Sequence, residues 1–244
     1  MKLRLMICAA AASTALFAGE NDPTSATYAV MNVTNAYTDT VIAVPWVGLD
    51  GSAIKISDLV NTTTLSAGDK LYMYNDNDIW YEYTKTSDGW TVSDTITTTG
   101  SHSAESQVVQ RGTGLILHRS SGNGNVFLCG RVDSSPISTT IANGKTLFAN
   151  PTASAVNLDD KFTAAAGATE GDAIMIPLNN GGSDTYTFNG TEWGKSTKVA
   201  NGTITVADKI ITKYEDKWTK CGSIPAGTGA WYITTGSGYT VTWQ

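Results

Sequence analysis

The chain is poor in the residues on which many enzymes and nucleic-acid-binding proteins depend. Its 244 residues include only two histidines, three cysteines and six prolines, and 16% of the residues are charged. Lysine and arginine are scattered, and the net charge is −6, so no basic stripe is present to neutralise nucleic-acid phosphates. No stretch after the N-terminus is apolar enough to span a membrane as a helix. We therefore expect no nucleic-acid partner and no transmembrane segment.

Motifs for catalysis are also scarce. His118 falls in a predicted strand and His102 in a predicted loop, and no paired-cysteine motif completes a zinc site. There is no nucleophile elbow, and spacing alone does not place two carboxylates at the separation that glycoside hydrolysis needs. We predict a protein that is not an enzyme and that needs no cofactor. A glycosidase-like enzyme is the third alternative.

Two local motifs resemble ligand sites but have simpler interpretations. Asp76 and Asp78 offer oxygen ligands for calcium, but the glycine and the closing glutamate of an EF-hand are missing, so a polar turn is favoured over a weak calcium site. Gly-Thr-Gly occurs at 112–114 and at 227–229, each time before an apolar run. Neither copy has the lysine of a phosphate-binding loop, and we interpret both as structural turns.

The N-terminal residues have the pattern of a secretory signal peptide. A short basic region precedes an apolar stretch of small residues, which ends at Glu20. We interpret 1–19 as the signal and predict a protein that is secreted, extracellular or at the cell surface. Cys129 and Cys221 remain after cleavage, and they are either a disulfide pair or two buried thiols.

Composition and internal similarity predict an all-β protein. Thr, Gly, Ser and Asn fill the polar positions, as is typical of strands and turns. Residues 68–90 align without a gap with 171–193, whereas the Gly-Thr-Gly copies align at a larger offset, so the second copy carries about 12 extra residues near 213–221. We predict two related β-sandwich or barrel-like units, 36–133 and 137–244, from an internal duplication. One continuous sandwich is the alternative.

Each unit is expected to contain hairpins. Polar turns separate predicted strands after the Gly-Asp pair of each copy, and Gly-rich turns separate 114–119 from 126–129 and 230–235 from 239–243. Alternation places Leu71 and Met73 toward the core, and turns Tyr72 and Tyr74 to the other face. Several aromatic residues have no aromatic counterpart at the aligned position, or no counterpart, and each of them either fills the core or contacts a ligand or partner. The candidates for a ligand or interface are Tyr72, Tyr74, Trp80, Trp218 and Trp231.

The repeated order of Gly-Asp, hydrophobic hairpin, Trp and Gly-Thr-Gly resembles a group of exported β-rich proteins of environmental bacteria in the planctomycete and verrucomicrobia range. The resemblance covers most of the chain after the signal. It implies export and a β-rich fold, and it brings no catalytic residues.

These observations favour a structural or surface protein that self-associates, as a filament, sheath or surface-layer subunit. Residues 20–35 form an N-terminal extension that we predict to be a strand donor for the sheet edge of a neighbouring copy. The alternative is a carbohydrate-binding or adhesive module that uses exposed Trp and Tyr residues. The expected partners are therefore copies of the chain itself or, in the alternative, a polysaccharide.

Overall fold

The computed structural model is built mostly of β-strands. It describes residues 28–35, 39–44, 46–48, 50–59, 65–74, 80–94, 104, 107–120, 124–152, 154–177, 182–206, 209–220 and 222–243. The predicted all-β class is confirmed: in this part of the chain the helices are two single turns and one 3-10 turn. None of the described helices is long and apolar enough to cross a membrane.

The first half of the chain forms one large antiparallel sheet and two small ones. Its elements are β1 (Tyr28–Asn35), β2 (Asp39–Ala43), β3 (Ile54–Lys55), α1 (Ile56–Leu59), β4 (Lys70–Tyr74), β5 (Trp80–Lys85), β6 (Trp90–Asp94), β7 (Val108–Val109), β8 (Gly114–His118) and β9 (Gly124–Arg131). The large sheet has the order β2-β8-β4-β5-β6. Strand β3 pairs with β7, and β1 pairs with β9.

The second half has the same kinds of elements and one further strand. They are β10 (Ile137–Ile141), β11 (Gly144–Ala149), β12 (Val156–Asn157), α2 (Leu158–Lys161), a 3-10 turn (Ala164–Ala166), β13 (Ala173–Pro177), β14 (Ser183–Phe188), β15 (Trp193–Val206), β16 (Lys209–Lys220), β17 (Ser223–Ile224), β18 (Gly229–Thr234) and β19 (Tyr239–Trp243). The large sheet has the order β11-β18-β13-β14-β15-β16, and the small sheets are β12-β17 and β10-β19.

The two large sheets follow the same path through the chain. Taken from the β2 and β11 edges, the order is equivalent strand by strand as far as β6 and β15. Strand β16 is the addition in the second half, and it overlaps the segment where the sequence predicts extra residues. Strand β15 pairs with β14 over a short stretch only. Beyond that stretch β15 pairs with β16, and these two strands form a long two-stranded ribbon that leaves the sheet.

Some predicted strand pairings are correct and others are wrong. The hairpins β4–β5 and β13–β14 are present as expected. The expected hairpins β8–β9 and β18–β19 are not formed, because β8 and β18 each lie between two other strands of a large sheet. Strands β9 and β19 leave that sheet and pair with β1 and β10 instead. Apolar alternation identifies a strand but not its neighbour.

The same turn begins β4 and β13. The N–H of Gly68 donates to the carbonyl of Lys85 at 2.8 Å, and that of Gly171 donates to the carbonyl of Phe188 at 2.9 Å. Both glycines have a φ of 93°, which disfavours any residue with a Cβ. The aspartate that follows each glycine is buried. The Gly-Asp pair present in both halves is therefore a turn with a defined backbone conformation.

Each half has a hydrophobic core of its own. In the first half, alternate residues of β4, β5 and β8 face the core, among them Leu71, Tyr83 and Leu117. In the second half, the ring of Phe162 lies among the rings of Phe148, Trp193, Tyr232 and Trp243. The indole N–H of Trp193 also donates to the carbonyl of Phe162 at 2.6 Å. Buried aromatic side chains of this size contribute about 1.5–3 kcal/mol each.

Candidate interaction surfaces

The two Gly-Thr-Gly turns lie where the halves meet, and each is bonded to the other half. The N–H of Ala149 donates to the carbonyl of Gly112 at 2.9 Å, and the N–H of Ala43 donates to the carbonyl of Gly227 at 3.1 Å. The threonine of each turn forms a β-bridge with the residue before that alanine. The two contacts are thus reciprocal, as at an interface between two copies related by a two-fold axis.

The last glycine of each turn has no room for a side chain. A Cβ on Gly114 would lie 2.7 Å from Leu147 Cγ and 2.8 Å from the carbonyl oxygen of Phe148. A Cβ on Gly229 would overlap Val41 Cγ1. Close approach of two backbones requires glycine, so the glycines serve packing between the halves.

Tyr74 and Trp231, two of the predicted ligand or interface residues, meet at this junction. Their rings form an edge-to-face pair with centroids 5.4 Å apart. The Nζ of Lys145 lies 4.0 Å from the centroid of the Trp231 ring. Trp231 is only 7% exposed, so it lies in an interface within the chain. An aromatic pair and a cation–π contact of this kind each contribute about 0.5–1.5 kcal/mol.

The outer face of the first sheet carries a polar cluster around Tyr72. The ring of Tyr72 lies edge-on to the imidazole of His118, 6.4 Å between centroids. His118 Nδ1 is 2.7 Å from Asp39 Oδ1. Lys70 Nζ donates to Glu82 Oε1 at 2.8 Å. This face is the one opposite Leu71 and Met73, as the alternation of the sequence predicts.

Three groups of this cluster have shifted pKa values. The hydrogen bond from Lys70 lowers the pKa of Glu82, and the same bond raises the pKa of Lys70. Burial, followed by the charge of Glu82, raises the pKa of Tyr72. Near neutral pH the ion pair stays charged and the phenol stays protonated. The three groups therefore suit binding more than proton transfer, which needs a pKa near the working pH.

The corresponding face of the second sheet is largely apolar. At the positions aligned with Lys70, Tyr72, Glu82 and His118 the second half has Ala173, Met175, Thr185 and Ile233. Ile233 is 39% exposed. The polar cluster is therefore a property of the first half alone.

The buried aspartate of the first half is held by an ion pair and by hydrogen bonds. Asp69 is fully buried, and its carboxylate accepts from the N–H of Ser66 at 2.8 Å and from the N–H and hydroxyl of Ser120 at 2.8 and 2.9 Å. Arg119 Nε lies 2.9 Å from Asp69 Oδ2, with 7% of the arginine side chain exposed. The turn is thereby tied to the end of β8.

The buried aspartate of the second half is held by tyrosines. Asp172 Oδ2 accepts from the N–H of Thr169 at 2.9 Å and from the hydroxyl of Tyr232 at 2.7 Å. The hydroxyl of Tyr239 donates to that of Tyr232 at 2.7 Å. Burial raises the pKa of both tyrosines. Asp172 Oδ1 is buried without a hydrogen-bond partner in the described residues.

A cleft of about 410 Å³ lies beside the segment that connects the halves. Arg111 crosses it and forms an ion pair with Asp133 at 3.0 Å. The backbone N–H of Ser135 lowers the pKa of Asp133, so its negative charge persists to low pH. In the described part of the chain, Trp46 Nε1 and Arg111 Nε are buried without a hydrogen-bond partner. No sequence motif marks this cleft, because its lining residues come from four separate segments.

The two large sheets end in different edges. Strand β6 closes the first sheet, and its Thr91, Val92 and Ser93 are exposed. Strand β16 is the edge strand of the second sheet. Its Trp218 is half-buried and lies opposite Ser196, and Lys220 Nζ forms an ion pair with Glu192 Oε2 at 2.8 Å. Trp218, a predicted interface residue, therefore lies in the edge strand. Where the residues are described, no strand pairs with the outer edge of β6 or of β16.

Several predicted sites lie outside the described residues. Asp76 and Asp78 are among them, as is Cys221, and the side chains of Trp80 and Cys129 are not described. The calcium and disulfide interpretations therefore stay predictions. The backbone of Trp80 lies opposite Tyr74. Within the described residues there is no group of three or more His, Cys, Asp or Glu side chains that would hold a metal ion.

Comparison with protein-family models, with curated proteins and with solved structures found no match to this chain.

Proposed function

We propose that the protein is an exported, non-enzymatic structural protein that self-associates through the edges of its β-sheets. The observation that carries the proposal is the outer edge of β6, which pairs with no strand in the described part of the chain. Proteins that stay monomeric protect such edges with lysine, proline, bulges or a covering loop. Strand β6 reads WTVSD, with one charge and no proline.

Two further observations support a structural role. The described residues form two sheet units that the reciprocal Gly-Thr-Gly turns join, an arrangement that supports a structural role. The pKa shifts of the three ionisable groups of the Tyr72 cluster keep each group in one protonation state near neutral pH, which favours a role in binding over acid–base catalysis. We also infer that the halves, 36–133 and 137–244, are copies of one duplicated unit. Their equal strand order and matching Gly-Asp turns support this.

Strand donation by residues 20–35 is the other route to assembly. In the structure, β1 pairs along all eight residues with β9 of the same chain. Donation would therefore require β1 to leave β9 and to pair with β9 of a neighbour, as in domain swapping. Deletion of 20–35 distinguishes the routes, because it removes the donor and leaves the edge of β6 intact.

The test is the assembly state of the chain without residues 1–19. We expect dimers and larger assemblies in sedimentation velocity and negative-stain electron microscopy, increasing with protein concentration. Addition of salt should change the distribution little, because the contact is a backbone ladder in which each strand carries only one charged residue, Asp94. A monodisperse monomer at every concentration would contradict the proposal.

Carbohydrate binding is the second candidate function, and the cleft at Arg111 favours it. Sugar sites combine aromatic surfaces with hydrogen-bonding groups, and this cleft is lined by Trp46, Gln110, Arg111, Asp133 and Ser138 among others. Gln110→Ala should weaken binding to a polysaccharide to which the intact chain binds. Tyr72→Ala, which changes the polar cluster on the outer face of the first sheet, should not weaken it. The opposite result would move the site to the Tyr72 cluster, and absence of binding by the intact chain would remove this function.

A further inference from the structure

We infer that β6 pairs antiparallel with β6 of a second copy of this chain, about a two-fold axis that passes through Val92. The inference rests on the proposed self-association and specifies its partner and register. It follows from the position of β6 in the sheet, from the residues of β6, and from a comparison with β16.

The second half shows that this position in the sheet accepts another strand. Strand β15 occupies the place that β6 occupies in the first sheet, and β16 pairs along its outer edge. In the first half, β5 pairs with β6 through five residues, from Lys85 opposite Trp90 to Tyr81 opposite Asp94. The alternate backbone N–H and carbonyl groups of β6 point away from β5. Among the described residues no strand pairs with these groups, whereas β16 pairs with the corresponding groups of β15.

The residues of β6 are complementary to a second copy of themselves. With Val92 opposite Val92 of the partner, Thr91 lies opposite Ser93 and Trp90 lies opposite Asp94. No like charges face each other in this register, and threonine opposite serine and valine opposite valine are favourable cross-strand pairs. Val92 is 36% exposed, and among the described residues only Ile233 is a more exposed large hydrophobic side chain. Pairing would cover Val92 on both chains.

Strand β16 is a poorer partner for either edge. Its sequence, KIITKYEDKWTK, contains four lysines in 12 residues. Lysine on an edge strand opposes the addition of another strand. Strand β6 offers Asp94 alone as an opposite charge, so β16 of one copy and β6 of another have little charge complementarity. The edge of β6 is therefore the one that pairs, and it pairs with itself.

The assembly that results is a dimer with a closed interface. Two five-stranded sheets join into one sheet of ten strands, with the order of the second copy reversed. A contact about a two-fold axis uses the same patch on both chains and stops at two. Larger assemblies then need a second contact elsewhere on the surface, and β6 governs the first step only.

Val92→Lys is the discriminating substitution, because the second half already has a lysine, Lys195, at the aligned position of β15. The fold of the monomer should therefore tolerate it. Two lysines would face each other at the two-fold axis, and we expect the dissociation constant of the dimer to rise about a hundredfold or more. Ile233→Lys is the matched control: it places the same charge on the other exposed hydrophobic side chain and should leave the dimer unchanged. Sedimentation velocity measures both, and the melting temperature checks the monomer.

Single cysteines test the register even if Val92→Lys fails to fold. In a chain with Cys129→Ser and Cys221→Ser, Val92→Cys should form a dimeric disulfide under oxidised glutathione. Thr91→Cys chains should link to Ser93→Cys chains far more than to themselves.

Three outcomes would overturn the inference. An assembly that persists in Val92→Lys and does not link through Val92→Cys shows another interface, and self-association as such survives. A Val92→Lys variant that loses stability without any change in association shows that the edge is covered within the chain. Monomers in every variant and in the unsubstituted chain contradict both the inference and the proposed function.

Discussion

The two halves of the molecule hold an equivalent buried aspartate in different ways. In the first half, Arg119 forms an ion pair with Asp69, and two serines supply further hydrogen bonds. In the second half, the hydroxyl of Tyr232 takes the place of the arginine, and Thr234 stands at the position aligned with Arg119. The backbone turn is the same in both. The difference shows that the geometry of the turn is maintained while the groups that donate hydrogen bonds to its carboxylate vary.

The surfaces of the halves differ more than their turns do. The outer face of the first sheet is polar around Tyr72 and His118, and its edge is short and uncharged except at Asp94. The outer face of the second sheet is largely apolar, with Lys145 over the ring of Trp231, and its edge is a long lysine-rich strand. The two halves therefore share a strand order and differ in the residues on their faces and edges.

Removal of Arg119 should have the largest effect on stability, because it removes the ion pair by which the first half differs from the second. Arg119→Leu leaves the carboxylate of Asp69 buried without its counter-charge, and loss of one partner of a buried pair costs about 3–5 kcal/mol. Thr234→Val, at the aligned position, removes only the acceptor of the N–H of Gly236 and should cost about 1 kcal/mol. Urea unfolding measures both. Equal losses would show that the ion pair is not the main support of the turn.

Tyr232→Phe should destabilise the second half by about 1.5–3 kcal/mol, since it removes a hydrogen bond to a buried carboxylate. It should also change the response to alkali. Burial raises the pKa of Tyr232 and Tyr239 above the unfolded value of about 10. Stability from the protonated phenols is therefore complete below about pH 10 and is lost as the pH rises above it.

Unfolding at pH 8 and at about pH 11 provides the measurement for this second prediction. The unsubstituted chain should lose stability between the two values, and Tyr232→Phe should lose less, because one of the two phenols is gone. An unchanged alkaline loss in Tyr232→Phe would assign the effect to other groups.

Alanine at either junction glycine should cost about 1–3 kcal/mol, the usual range for overpacking. Gly114→Ala meets the backbone oxygen of Phe148, whereas Gly229→Ala meets the side chain of Val41, which can move; we therefore expect the larger loss for Gly114→Ala. Gly222→Ala has open space around the added Cβ and is the control. Thermal unfolding ranks the three, and a Gly222→Ala loss as large as the others would remove the packing explanation.

The smallest effect is expected from the half-buried ion pair between Lys70 and Glu82 on the outer face. The lowered pKa of Glu82 stabilises the fold above the unfolded carboxyl value of about 4.3, and this contribution is lost as the pH falls through the lowered folded value. Glu82→Gln should therefore reduce stability slightly at pH 7 and not at low pH. Asp184→Asn removes the charge of the partner of Lys195 in a half-buried ion pair of the second sheet and serves for comparison. A large loss at pH 7 would show a role beyond this pair.

Part of the fold was predictable because it depends on local pattern. The alternation of Leu71, Tyr72, Met73 and Tyr74 specified β4 and its two faces, and a turn of six residues or fewer left β5 as its neighbour. The same reasoning failed for β8 and β9. A Gly-rich segment between two apolar runs is compatible with a hairpin and also with a chain that leaves the sheet. Strand partners that are distant in sequence determine which of these two arrangements forms.

The candidate surfaces were less predictable than the strands. The sequence singled out Trp231 because the first half has Ile116 at that place, but its neighbours Tyr74 and Lys145 come from two distant strands. No sequence pattern singles out Arg119, because an arginine next to the end of a strand is common. Its importance comes from a carboxylate 50 residues earlier that the fold buries beside it.

The sequence by itself determined the all-β class, the positions of most strands, and the correspondence between the Gly-Asp turns of the halves, because strand alternation and glycine conformation act between near neighbours. Tertiary structure alone decided which strands lie side by side, how the Gly-Thr-Gly turns join the halves, and which sheet edge has no pairing strand among the described residues. Those features depend on contacts between segments far apart in the chain. The backbone hydrogen bonds of these contacts do not depend on residue type, so the sequence pattern does not specify them. The matching Gly-Thr-Gly turns could be recognised in the sequence. Their contacts across the junction between the halves could be recognised only in the structure.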